Sequence, residues 1–296
     1  MRGVAFSPAH ITGFFKAEMD EKPELRGSLG AGFSIQSGVT TTVEIEESDY
    51  ADFKIRVTGY QSDNMQVSEF VMKEFLKNIE GNYFVSVHHD IKVPVGYGFG
   101  CSAAVALSLA YALNQAFGTG FSNEKLGRIA HIAEVHCQTG LGDVLASYHG
   151  GFEIRIKGGA PGIGLIKKIS ADAYSAIMIC FAPISTKQFM KERMSSINGL
   201  GGKMVNRLVQ SENINEFHDS SIEFANYVNI ITPKMKAVID DLQKNEIKCG
   251  VALFGETIFT LVPQNLEEKV LDILGKYSDG IIIKSKIDEL GARLVS

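Results

Sequence analysis

Apolar and polar positions change period several times along the chain, and each change marks an element. In "VTTTVEIEE", Val39, Thr41, Val43 and Ile45 share one side of an extended strand. "FKIRV" repeats the alternation with Phe53, Ile55 and Val57. "MQVSEFVMKEFLKNI" then switches to helical spacing through Val67, Phe70, Val71, Phe75 and Ile79. "YFVSVHHDIKV" returns to a strand and runs directly into "PVGYGFGCSAA", residues 94–104. An Ala- and Leu-rich helix follows, "AAVALSLAYALNQAF", ending before Gly118 and Gly120. The next helix, "SNEKLGRIAHIAEVHC", opens on Ser122 as N-cap. "TGLGDVLASYHGG" leads into the strand "FEIRI", and the turn-rich "KGGAPGIG" predicts a hairpin loop.

Near residue 172 the pattern restarts. A strand "AIMICFAP" precedes several helices to about 244, with Thr232 and Pro233 as an N-cap and N1 pair. Strands "KCGVALFG" and "TIFTLVP", a helix and the strand "GIIIK" complete the block. A chain of 296 residues is long for one core, so two domains are expected, 1–165 and 170–296, in an α+β arrangement.

Composition narrows the function classes. Hydrophobic residues at 45% and charged residues at 21% are ordinary for a globular protein, and a net charge of −5 gives no footprint for nucleic acid. Cys101, Cys137, Cys180 and Cys249 lack metal or disulfide spacing, which fits a reducing cytoplasm. "MRGVAFSPAHITGFF" lacks a signal-peptide core, and no run approaches the roughly 20 apolar residues of a membrane span. The expectation is a cytoplasmic protein with no membrane or nucleic-acid partner; a homodimer is left open.

The costly feature is the approach to the Ala-rich helix. Gly96, Gly98 and Gly100 lose much backbone entropy on ordering. They serve either a tight turn or a backbone that approaches an anion at a helix N-terminus. No G-K-[ST] closes the loop, and the third-glycine spacing of a dinucleotide fingerprint is absent.

"PVGYGFGCSAA" resembles the P-x-x-x-G-L-G-S-S-A-A motif of the GHMP kinases, matching at Pro94, Gly98, Gly100, Ser102, Ala103 and Ala104. Phe99 stands for the usual Leu, and Cys101 for the first Ser. "SPAHITGFF", residues 7–15, resembles the family's N-terminal motif, a turn after the first strand. "GLGDVLASYHGG" resembles its catalytic-aspartate segment, and "KCGVALFGETIF" sits where the third motif belongs. Within the family, "SPAHITGFF", "AHIAEVHCQTGLGDV" and "STK" at 185–187 are similar to the archaeal branch that phosphorylates pantoate on the route to coenzyme A.

The resemblance implies a GHMP kinase fold, with an N-terminal ribosomal-protein-like nucleotide-binding domain and a C-terminal ferredoxin-like domain. It implies ATP and Mg2+ as cofactors and pantoate as the small-molecule substrate. ATP would lie along Pro94, Gly96, Gly98, Phe99, Gly100, Cys101, Ser102, Ala103 and Ala104. Ser102 and Glu134 would hold the metal, although Glu134 also reads as a surface helix residue. Asp143 would be the general base or orienting acceptor for the substrate hydroxyl; as a bare sequence feature it is also an N-cap. His10 stands where other members carry Lys or Arg, and with Thr12 and Gly13 it would line the substrate pocket. Arg155 and Lys187 are candidates for the substrate carboxylate, or solvated surface charges. His88 and His89 are adjacent on a strand and must face opposite sides, so they receive no role. The alternatives are another small alcohol (homoserine, mevalonate or shikimate), or a catalytically silent nucleotide-binding module.

Overall fold

The computed structural model describes residues 1–61 and 64–295. Strands β1 (Arg2–Glu18), β2 (Gly27–Glu47) and β3 (Asp52–Gly59) come first, then α1 (Gln66–Leu76), β4 (Tyr83–Ile91), α2 (Cys101–Phe117) and α3 (Asn123–Cys137). The short helix α4 (Asp143–His149) precedes the hairpin β5 (Phe152–Lys157) and β6 (Leu165–Ile169). The second block runs β7 (Tyr174–Pro183), α5 (Thr186–Ser211), α6 (Ile214–Tyr227), α7 (Pro233–Lys244), β8 (Gly250–Ala252), β9 (Gly255–Pro263), α8 (Glu267–Leu274) and β10 (Ile281–Lys286). A last strand, β11 (Arg293–Leu294), ends the chain.

These strands form two sheets. The first has the order β11-β1-β2-β4-β3, with β5 on the early part of β2 and β6 on β5. Its pairs are antiparallel except β3–β4, which are parallel because α1 crosses between them. The second sheet is antiparallel in the order β10-β7-β9-β8. Numbered within its own block that is 4-1-3-2, the ferredoxin-like arrangement. The whole is an α+β fold with mixed helix and sheet content.

The β1–β2 hairpin is long enough to serve two cores. Val43 and Ile45 face Val71, Phe75 and the buried side of α2, while Phe14 and Phe33 meet the second sheet. Phe33 contacts Phe259 edge-on at 5.2 Å, and Phe217 of α6 stands 5.8 Å from Phe14 and 4.8 Å from Phe152. Packing of this density decides where the two sheets meet, and strands crossing that seam carry polar side chains into it.

Two details differ from the sequence expectation. The segment 7–15 is not a turn: β1 continues through it, with register shifts between Pro8 and Ala9 and between Thr12 and Phe14. A bulge accommodates the missing N–H of Pro8 and re-aims the following side chains. The C-terminal residues also return to the first sheet, as Ile287 bridges Ile35 and β11 pairs with β1. The carbonyl of Asp288 accepts from Gly151 N, and its carboxylate accepts from Gly291 N and Arg293. That staple fixes the corner between α4 and β5. Among the described residues, no helix is long and apolar enough to cross a membrane.

Candidate active site

The glycine loop before α2 is built by backbone conformation. Gly96, Gly98 and Gly100 have φ of +85°, +85° and +53°, a region that side chains rarely adopt. A Cβ at Gly98 would stand 2.4 Å from the Leu253 carbonyl, and one at Gly100 would stand 3.3 Å from Asp143. The loop is clamped from both sheets: His10 N donates to Phe99 O, Ile184 N to Gly96 O, and Thr257 Oγ1 to Tyr97 O. The 253 turn joins the same knot, because Leu253 N donates to Thr12 O. Gly100 caps α2, which therefore has no side-chain cap hydrogen bond at its N-terminus. Cys101 is a buried thiol pushed up to about 12 by burial and then by the charge of Glu134, which makes it inert.

Two cavities meet at Asp143 and Thr12. One, of about 390 Å³, is lined by Gly96, Gly98, Phe99, Gly100, Cys101 and Ser102 and extends past Asn64 and His89. The other, of about 420 Å³, is walled by Phe15, Leu141, Met190 and Met194 and carries the cations Arg26, Arg155, Lys187 and Lys191. Lys187, exposed at the start of α5, lines both, as does Phe254. Phe254 has φ of +67°, strained for an aromatic residue, and is held by rings at 5.7 Å (Phe15) and 5.1 Å (Phe189).

Strand register assembles the charged centre. His10 and Thr12 share a face of β1, and His10 Nδ1 lies 2.9 Å from Asp143 Oδ1 at the start of α4. The other ring nitrogen, Nε2, lies 3.1 Å from Glu153 Oε1. Each nitrogen faces a carboxylate, an arrangement that favours a ring bearing a hydrogen on both. Burial alone would lower its pKa, but Glu153 and Asp143 together raise it above 6.5. Burial likewise pushes Asp143 upward, but hydrogen bonding and the charge of His10, with Arg155 and Thr12, hold its carboxyl below the ordinary 3.8. Arg155 is buried, paired with Glu153, and also reaches Thr12 Oγ1 at 3.4 Å.

On the other side of Asp143 stands Glu134, also buried. Thr139 donates to its Oε1 at 2.6 Å, while Oε2 has no partner among the described residues. Burial raises this carboxyl to about 7; Thr139 and Ser102 oppose the rise, and the charge of Asp143 adds to it. Only Gly140 leaves room here, since a Cβ there would lie 2.4 Å from Glu134 Oε2 and 3.3 Å from Asp143 Oδ2.

The structure thus brings together His10, Thr12, Gly96, Gly98, Phe99, Gly100, Cys101, Ser102, Glu134, Asp143, Arg155 and Lys187. Pro94, Ala103 and Ala104 are buried behind the loop and line neither cavity, and Gly13 packs against the Phe217 ring. Arg155 is a buried ion-pair member and not a solvated charge. His89 lies buried between Thr41 and Ser68, while His88 bonds Thr58 near the surface on the opposite face. Glu153 and Ser28 are among the site residues that escape the sequence reading, whereas Phe254 lies in the third motif segment it singled out. The available signal was the glycine alternation "GSLGAG": a Cβ at Gly30 would meet Arg155, and one at Gly32 would meet His10 Nε2 at 2.5 Å. Glycines inside a strand mark such close approaches.

Known proteins are similar to this chain. Residues 66–151, from α1 through the loop to Gly151, match the N-terminal domain of GHMP kinases. A pantoate kinase of Methanocaldococcus jannaschii is 33% identical over 272 residues, covering 91% of this chain and 96% of its own. One from Thermococcus kodakarensis is 29% identical, covering 91% of each chain. A solved structure described as a phosphotransferase related to the CoA biosynthesis pathway superposes with a TM-score of 0.90 at 27% identity, covering 100% of this chain and 99% of its own. Similarity sustained from end to end, with the glycine loop and the Asp143 segment inside the matched domain, means that the chain belongs to the GHMP kinase family.

Proposed function

We propose that this chain transfers the γ-phosphoryl of ATP to the 4-hydroxyl of pantoate, giving 4-phosphopantoate and ADP. The observation that carries the acceptor is Arg155: its buried Nε has no partner among the described residues, and it lines the cavity that opens on Asp143. Ser28 is beside it, since a Cβ at Gly142 would stand 2.3 Å from Ser28 Oγ and 2.8 Å from Arg155 Nε. An unpartnered guanidinium nitrogen, with Arg26, Lys187 and Lys191 lining the same cavity, suits a carboxylate. The Phe15, Leu141, Met190 and Met194 wall suits the two methyl groups of pantoate. Asp143 is the only carboxylate lining that cavity among the described residues, so the ammonium of homoserine would find no partner of its own.

ATP occupies the cavity of the glycine loop, its phosphates facing the amides that open α2. The residues fit a magnesium ion: Ser102 and the unpartnered Oε2 of Glu134 are hard oxygen donors, and two protein ligands suffice for an ion that keeps water and phosphate oxygens. Bound there, it would offset charge on the phosphate oxygens. Asp143, ionised and aimed by His10 and Thr12, accepts the hydroxyl hydrogen and orients the oxygen for attack. Lys187, which lines both cavities, is placed to meet the charge that passes between them. In this reading residues 1–165 hold the nucleotide and residues 170–296 close the acceptor cavity with the start of α5. The four free thiols and the use of ATP support the cytoplasm as its location.

Arg155→Lys keeps a charge and loses the planar fork. It should raise KM for pantoate by about tenfold to a hundredfold, the value of one or two charged hydrogen bonds, and leave KM for ATP unchanged. Steady-state kinetics with each substrate varied in turn checks this. An effect confined to ATP would remove Arg155 from the acceptor site.

A further inference from the structure

His10 has a second carboxylate behind it, and the transfer reaction as described gives that group nothing to do. Glu153 is completely buried on β5, with its two oxygens 3.1 and 3.2 Å from His10 Nε2. It reaches that place because β5 pairs with β2 so that Glu153 lies opposite Gly32, whose missing side chain leaves the space. Its Oε1 also takes a hydrogen bond from Arg155 Nη1. One carboxylate therefore ties together the cation that faces Asp143 and the cation that faces the acceptor cavity.

We propose that Glu153 is a positioning residue for phosphoryl transfer: it keeps His10 hydrogen-bearing on both ring nitrogens and in line with Asp143. Its consequence for catalysis rests on the kinase reading. A lysine at the place of His10 would be charged at neutral pH without help. An imidazole is not, because its ordinary value of 6.5 would leave it mostly neutral in the cell. A neutral ring could still donate to Asp143 through Nδ1, but it would no longer offset charge beside the reacting oxygen. The charged and polar groups facing His10 are few. Asp143 comes from α4 and Glu153 from β5, with Arg155 beyond Glu153, and Thr12 Oγ1 is 3.4 Å from Nδ1 on the same strand. Of these, Glu153 alone adds negative charge without also touching the acceptor cavity.

Glu153→Gln tests the inference, since it keeps the shape and an oxygen for Nε2 while removing the charge. The direct readout is NMR of ring-labelled histidine, with the His10 signal assigned by its loss in His10→Ala. In the parent protein the ring should stay an imidazolium through neutral pH. In Glu153→Gln its midpoint should fall, because burial is then opposed by the charge of Asp143 alone. Glu153→Asp retains the charge and should retain the parent titration, which separates the charge effect from any packing defect. In kinetics, Glu153→Gln should lose kcat progressively between about pH 6 and pH 9, and the double variant His10→Lys, Glu153→Gln should not. An unchanged His10 titration in Glu153→Gln, or an equal loss of kcat at every pH, would overturn the proposal. The NMR result needs no turnover, so a chain inactive toward every acceptor would refute the kinase reading and leave Glu153 to be judged by its titration.

Discussion

Asp143→Asn should lower kcat for pantoate by about 10²–10⁴-fold, the range of a positioned proton acceptor. The carboxylate touches both cavities, with its side chain 15% exposed at their junction. Its low pKa makes it a weak base, which suits a transfer in which the hydroxyl proton leaves late and the protein mainly positions and neutralises. Asparagine keeps the volume, yet its amide offers a donor where His10 also donates, so orientation is lost with the charge. The glycine loop is untouched, and KM for ATP should stay near the parent value. Single-turnover kinetics with both substrates saturating would separate this loss from binding, and full activity in Asp143→Asn would end its role.

His10→Ala should be the most destabilising single change in the site. It leaves Asp143 and Glu153 facing each other across a buried hole with no cation between them. Breaking a buried pair costs about 3–5 kcal/mol, a large part of a typical folding free energy. The pH dependence has a definite sign. His10 has its folded pKa raised above 6.5, so its contribution is fully present below 6.5 and is lost as pH rises through the folded value. Asp143 is held below 3.8, so its contribution is present above 3.8 and is lost as pH falls through its folded value. The stability gap between parent and His10→Ala should therefore be widest in the window between those limits and narrow toward alkaline pH. Urea denaturation at several pH values measures it, and a gap that does not change with pH would contradict the charged pairing.

Much of this centre was legible in the chain itself. The change from alternating to helical spacing placed the strands before the loop and the helices after it, and Ser122 and Thr232 cap their helices as read, accepting from Lys125 N and Met235 N. The order of glycine loop, Glu134 and Asp143 was visible because those residues lie in one continuous segment of the N-terminal domain. The reason for the glycines was only half visible. Clearance for phosphates is a local argument, whereas the contact of Gly98 with Leu253 joins residues far apart in sequence. Glu153 shows the limit most clearly. In "FEIRI" a Glu and an Arg alternate with apolar residues, the pattern of a strand with one solvated face. Here both faces are buried over residues 152–155, because His10, far away in sequence, comes to occupy the polar one. The same holds for β11 and the Asp288 staple, which depend on a tail folding back to the first sheet.

The central claim concerns the acceptor. With ATP and magnesium present, initial rates of product formation from pantoate, homoserine and mevalonate should be measured side by side. Arg155 and the lysines of the cavity provide for a carboxylate, the methionine wall provides for a branched apolar carbon, and among the described residues the cavity has no acid besides Asp143 for an ammonium group. Pantoate should therefore give the highest kcat/KM, with homoserine far below it, and its product should carry the phosphate on the 4-hydroxyl. Faster turnover of homoserine or mevalonate than of pantoate would contradict the account.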